Sequence, residues 1–343
     1  MIETNITKMF GLKFPIFSAP MGPFFTRELA LAVSEAGGLG VLSNVNIVGT
    51  DPVKEHIESI EYMIEHTDKP FGLNILTSRN NRGVKEMVTD IPSIIMKNPK
   101  MREQCVYFLT SAGSSKILPA SKSFQELREK TEVKHFHVAP ALWLAQKCVG
   151  AGVDGIVCTG TEGGGHQSYE RVSTLVLLQQ LNEVLPDLPK IACGGFATGE
   201  SLAAALSLGA GAVAMGSRFI ASKESEFNEG YKALIPPGTP QDTGLYTGSF
   251  GPIRLYKNKY ALTHPAPSSK EEMIAYEKSI TLEMMQKDAD AYDRVYNGDT
   301  ENGAVLLGQS SVIIESIDSV NDIIERVIKG AESAIRKNFS SLK

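Results

Sequence analysis

Residues 190–219 read KIACGGFATGESLAAALSLGAGAVAMGSRF, and the fold follows from this stretch. A short apolar run (KIAC) meets a glycine turn, a segment with helical periodicity follows, a glycine stops it, and a second apolar run (AVAM) ends in another glycine turn. The same junction of helix end into strand appears in SEAGGLGVLS (34–43) and VGAGVDGIVC (149–158). Each is one βα module, with Thr26 read as an N-cap and Gly37 as a left-handed helix stop in the first. Apolar runs of strand length recur as FPIFSAP, GLGVLSN, PFGLNILT, CVYFLTSAG, VKHFHVAP, GIVCTGT, KIACGG and AVAMGSRFI. Between them lie helical segments such as 51–67, 141–152 and 198–210. Near-continuous apolar strands alternating with helices argue for a parallel sheet covered on its outside, and eight of them are the number that closes a (β/α)8 TIM barrel, with an open doubly wound sheet as the alternative.

The barrel accounts for residues 1–222. Residues 223–302 are read as a small, mainly helical insertion on the substrate side, near the C-terminus. Residues 303–343 return to the barrel, where Val320, Ile324, Val327, Ala331 and Ile335 form a stripe for docking on its outside. Residues 90–104 form an extra segment between strands three and four, read as a helix or a lid.

The chain has 343 residues, 42% of them hydrophobic and 21% charged, with 34 basic against 39 acidic side chains and a net charge of −5. No long run of either sign is present, so nucleic-acid and membrane surfaces are poor partners and a small-molecule substrate is expected. Cys105, Cys148, Cys158 and Cys193 lack C-x-x-C spacing and sit in apolar surroundings, which reads as buried free thiols in a reducing compartment. With no apolar leader and no stretch of membrane-span length, a cytoplasmic protein is expected.

In a barrel, chemistry belongs to the loops after the strands. Gly194 and Gly195 follow strand seven, and Gly216 and Ser217 follow strand eight. Bare backbone N–H groups at these two loops are the phosphate grip of the fold. After strand six comes GTEGGGHQ (160–167), which sets His166 behind three glycines. An imidazole titrates near neutrality and serves as a base. Glu162 reads either as a second acid or as a carboxylate orienting loop backbone. His135 and His137 are expected on opposite faces of strand five, His56, His66 and His264 on the surface, and Trp143 in the core. No metal is expected, because no pair has ligand spacing.

The segments FPIFSAPMG (14–22), GLNI (72–75), GVDGIVCTGTEGGGH (152–166), residues 191–225 and AVLLGQSSVIIESI (304–317) resemble the FMN-dependent nitronate monooxygenases, formerly 2-nitropropane dioxygenases. That family includes NAD(P)H-dependent quinone reductases and flavin enoyl-thioester reductases. The resemblance implies an FMN site made by Ala19, Pro20, Met21 and Gly22 against the ring, with Asn74 and Thr159 beside it. It also implies Gly164 and Gly165 for close approach, Gly194, Gly195, Gly216 and Ser217 on the phosphate, and Gln309 from the tail. His166 is the implied catalytic residue, and the implied reaction oxidises alkyl nitronates with O2 to a carbonyl compound and nitrite. The alternatives are an NAD(P)H-dependent reductase of quinones or enoyl thioesters and a non-catalytic flavin-binding subunit. A homodimer is compatible with each. Three departures from the family pattern bear on the substrate: Thr159 where glutamine is common, Gln167 where glycine is frequent, and a longer 90–120 region.

Overall fold

In the computed structural model, residues 2–45, 50–78, 83–236, 238–266 and 268–340 are described. Eight short parallel strands carry almost unbroken burial, because one face points into the barrel and the other into the helix layer. They are β1 (Ile16–Ser18), β2 (Gly40–Leu42), β3 (Phe71–Leu76), β4 (Cys105–Ser111), β5 (Lys134–Val138), β6 (Gly155–Thr159), β8 (Lys190–Cys193) and β9 (Ala212–Met215). The two-residue β7 (Gly165–His166) lies outside the barrel. The order β1-β9-β8-β6-β5-β4-β3-β2 returns on itself through a parallel bridge between Phe17 and Leu39. The sequence runs read as strands coincide with all eight.

The helix α1 (Asn5–Phe10) carries Phe10 into the barrel interior, where it meets Phe17, Tyr107 and Phe136 at centroid distances of 5.4 to 5.9 Å. Around the strands run α2 (Arg27–Glu35), α3 (Pro52–His66), α4 (Val84–Lys97), α5 (Pro99–Gln104), α6 (Lys122–Lys130), α7 (Leu142–Val149), α8 (Thr174–Val184) and α9 (Gly199–Ser207), and the single turn α10 (Ser217–Ile220) follows β9. The segment read as a helix or a lid is helical: α4 buries Met87, Val88, Ile91 and Ile95 in the wall, and Asn98 caps α5. Gly37 has φ 92°, as its stop role requires. Thr26 holds the N-cap position of α2, but its hydroxyl bonds to Ser43. The helix is capped instead by the Glu226 carboxylate, which accepts from the N–H groups of Glu28 (2.7 Å) and Leu29 (3.2 Å).

Beyond the barrel come α11 (Glu229–Lys232), the antiparallel hairpin β10 (Thr243–Gly248) and β11 (Gly251–Tyr256), then α12 (Lys270–Ser279) and α13 (Leu282–Tyr296). The helices are as read, and the hairpin is an addition to that reading. Finally α14 (Val320–Ser340) lays Val320, Ile324, Val327 and Ala331 on α9 and α2, while Ile335 is 38% exposed at its end.

Several expectations are corrected. His135 and His137 are two residues apart on a strand and so share a face. Both are buried in the outer wall, each 2.7 Å from the Thr110 hydroxyl, and Phe136 between them faces the interior. His56 is buried rather than superficial, with Nε2 2.8 Å from the Asn74 carbonyl oxygen. The His264 ring is largely covered beside Asp288, whereas His66 is exposed. Trp143 is 45% exposed, with the Lys147 ammonium over its ring. Cys105, Cys148 and Cys158 are buried free thiols, and Cys193 is half-buried.

Candidate active site

At the carboxyl ends of the strands, the chain after β1 crosses toward β2: Ala19 N–H donates to the Met215 carbonyl (3.0 Å) and Met21 N–H to Ser43 Oγ (2.7 Å). Pro20 and Gly22 lie in the same crossing, and Gly22 sits against the Asn44 carbonyl. On β3, Asn74 is buried, and its Nδ2 donates to the Leu109 carbonyl and to Ser111 Oγ, each at 3.1 Å. Thr159 ends β6, with its side chain bonded to Cys193, whose thiol is pushed up to about 11 by burial.

The glycine loop after β6 is braced from four directions. Glu162 accepts from Thr174 N–H (2.9 Å) and Thr174 Oγ1 (3.1 Å), which makes it the backbone-orienting carboxylate of the two readings. Arg254 Nε donates to the Thr161 carbonyl (2.8 Å) from β11. Gln167 Nε2 donates to the carbonyls of Gly163 (2.7 Å) and Gly165 (3.3 Å), so the departure at 167 ties the loop from within. The tail closes the fourth side: Gln309 N–H donates to the Glu162 carbonyl (2.8 Å) and Gly308 N–H to Ser217 Oγ (3.1 Å). The Gln309 side chain itself is exposed. Gly164 packs against this tail, where a Cβ would lie 2.9 Å from Gly308 N. Gly165 has φ 80°.

β7 pairs with β11, setting His166 opposite Ile253, and Gln167 N–H donates to the Pro252 carbonyl (2.7 Å). The His166 side chain is exposed, with the Phe250 ring 6.0 Å away. Desolvation by the surrounding protein lowers its pKa, and the Asp288 carboxylate opposes the shift. Of the two glycine turns, the one after β9 meets the tail through Ser217 and the one after β8 packs on the loop after β6. Gly194 and Gly195 have φ 88° and 91°, and Gly195 lies beside Glu162. The N–H groups of Gly195, Gly216 and Ser217 have no hydrogen-bond acceptor among the described residues. Gly216 has φ −98°, and a Cβ there would find nothing nearer than Ala19 Cβ at 3.8 Å and Met21 Sδ at 3.9 Å. The structure therefore links the loop after β1 to that after β9, the latter to the tail, the tail to the loop after β6, and that loop to the one after β8. Arg254, Phe250 and Asp288 were missed by sequence reading, and Gln167 was read only as a departure from the family pattern. Only Gln167 carried a signal, as a side chain where glycine is frequent.

An imidazole and unsatisfied backbone donors at the mouth of a (β/α)8 barrel are the parts of an enzyme site of that fold. The family model described as Nitronate monooxygenase matches residues 3–330, and the chain belongs to that family. A nitronate monooxygenase of Paraburkholderia phytofirmans is 28% identical over 96% of each chain. A (3aS,4S,5R,7aS)-5-hydroxy-7a-methyl-1-oxo-octahydro-1H-indene-4-carboxyl-CoA dehydrogenase of Rhodococcus jostii is 31% identical over 71% of this chain and 62% of its own. The solved structure of FabK from Thermotoga maritima superposes with a TM-score of 0.82 at 29% identity, covering both chains completely.

Proposed function

We propose that the enzyme binds FMN at the barrel mouth and oxidises alkyl nitronates with O2 to the carbonyl compound and nitrite. The observation that carries this is Gly216, a glycine that neither its own φ nor any protein neighbour demands, beside free N–H groups and facing the same mouth as the open His166. The residues fit the cofactor. The N–H groups of Gly195, Gly216 and Ser217, with Gly194 shaping the turn, would hold the phosphate. Ala19, Pro20, Met21, Gly22, Asn74 and Thr159 would border the ring, Gly164 and Gly165 would permit its approach, and Gln309 would reach it from the tail. Bound there, the flavin supplies a two-electron acceptor that no side chain offers.

His166 does the work of the polypeptide. With its pKa lowered from the ordinary value, the imidazole is suited to accept a proton from the carbon bearing a nitro group, or to orient the nitronate anion. The braced loop fixes its direction, with Gln167 and Arg254 holding the backbone on either side. On this reading residues 223–302 are the substrate-side cover of a barrel spanning 1–222, and 303–343 close it. The enzyme acts in the cytoplasm; among the described residues no helix is long and apolar enough to cross a membrane. A second reading, an NAD(P)H-dependent reductase of quinones or enoyl thioesters, draws support from the carboxyl-CoA dehydrogenase relative.

The test is the visible spectrum of the purified yellow protein under anaerobiosis. Bleaching by an alkyl nitronate, and not by NADH or NADPH, is the expected outcome. His166→Ala should slow the nitronate reaction by about 10²–10⁴-fold, the range of general acid–base catalysis. Rapid bleaching by either nucleotide would turn the assignment to the reductase, and a colourless protein would remove both.

A further inference from the structure

Beside His166 stands an aromatic ring that the reaction as described leaves unused. The turn between β10 and β11 is Gly248-Ser249-Phe250-Gly251, and the Phe250 ring lies 6.0 Å from the His166 ring at 57°. Phe250 is 48% exposed. Single exposed apolar side chains are ordinary, and Leu262 (70%) and Leu282 (84%) on the same insertion are examples. Phe250 differs from them because its turn is tethered. Ser249 Oγ donates to the carboxylate of Asp288 on α13, which also accepts from Tyr260 Oη (2.8 Å) and lies 3.7 Å from His264 Nε2. On the other side Gly251, with φ 97°, turns beside Tyr169 and Glu277, whose hydroxyl and carboxylate are bonded to each other. One hydrogen bond to α13 thus tethers the turn that carries this half-bare ring, with α12 beside it, next to an exposed imidazole.

We infer that Phe250 is the specificity wall of the site: it packs against the apolar substituent of the substrate while His166 engages the polar group, and so favours longer alkyl chains. This rests on the placement of substrate at His166 proposed above. The Ser249 to Asp288 bond is the positioning element that keeps the ring in place, since a free loop would lose its contact energy to ordering.

The experiment measures binding by calorimetry on the purified flavin-bound protein. The probes are straight-chain carboxylates from propanoate to octanoate, planar anions shaped like nitronates, and kcat/KM is measured in parallel for primary nitronates of increasing length. The readout is the ratio of longest to shortest probe within each protein. Phe250→Ala should reduce that ratio about fourfold, roughly the worth of one buried methylene. Phe250→Leu should retain most of the ratio, Ser249→Ala should fall between, and Leu282→Ala should match the wild type. Equal ratios in wild type and Phe250→Ala, a wild type that binds none of the series, or an equal loss in Leu282→Ala would each overturn the inference. Chain-length-dependent binding without nitronate turnover would instead overturn the proposed reaction and leave Phe250 as the wall.

Discussion

Glycine at position 216 answers to nothing in the folded chain itself, which makes it the most informative single residue of the site. A Cβ there has at least 3.8 Å of clearance, whereas one at Gly164 would lie 2.9 Å from Gly308 N. The two substitutions should therefore separate. Gly216→Ala should change unfolding free energy by less than about 0.5 kcal/mol, as a tolerated surface change does. It should weaken flavin binding about tenfold or more, or ~1.4 kcal/mol. Gly164→Ala should cost about 1–3 kcal/mol of stability through overpacking. Flavin titration and denaturant unfolding of both variants decide it, and wild-type flavin affinity in Gly216→Ala would remove the cradle. At this scale the sequence was legible where backbone constraint shows as composition: three glycines ahead of His166, and glycines after two strands. It was illegible where burial comes from distant partners. Nothing near His56 announces that its ring will reach the carbonyl of Asn74, eighteen residues on.

The β10–β11 hairpin is the element that converts a flexible glycine loop into a fixed one. It lends β11 as a partner to β7, and Arg254, itself buried, reaches across to the Thr161 carbonyl and to Thr243 Oγ1 (3.3 Å). Burial lowers the guanidinium pKa and the Glu162 charge raises it, so the cation is held by the loop it braces. Arg254→Ala strips a charged donor from a half-buried carbonyl. It should destabilise the protein by about 1.5–3 kcal/mol. It should also lower kcat/KM by about tenfold or more, because His166 loses its fixed direction. Urea unfolding and steady-state kinetics check the two arms, and a variant that loses stability but keeps kcat/KM would show that the hairpin does not position the site. The helices of this region were legible from periodicity. The hairpin was not, because its strands are short, Gly244 and Gly248 interrupt the pattern, and its third partner is a two-residue strand far away in sequence.

For the whole molecule, the eight apolar runs sufficed for the barrel, since a fully buried parallel sheet must be apolar on both faces whatever its loops do. That same wall encloses three imidazoles: His56 on α3, and His135 and His137 on β5. Burial lowers all three, His135 to about 3 and His137 to about 4, from an ordinary value of 6.5. Below pH 6.5 the unfolded chain therefore binds protons that the folded barrel refuses. Their contribution to stability is complete above that pH and is lost progressively as the pH falls toward 4 and then 3. The lowered carboxylates start from ordinary values of 3.8 (Asp318) or 4.5 (Glu325), so their loss comes at lower pH, while Glu226, raised by burial, opposes the histidines in the upper window, where they outnumber it. His166, also lowered, adds a loss of the same sign. The melting temperature should fall steadily between about pH 6.5 and 4.5. In His166→Ala the fall should persist, whereas His135→Gln with His137→Gln should start from a lower melting temperature at neutral pH and lose less of it on acidification. A pH profile that is flat in the wild type, or equally steep in the double variant, would mean that these imidazoles are reached by solvent protons without unfolding. The barrel wall would then be looser than its packing implies.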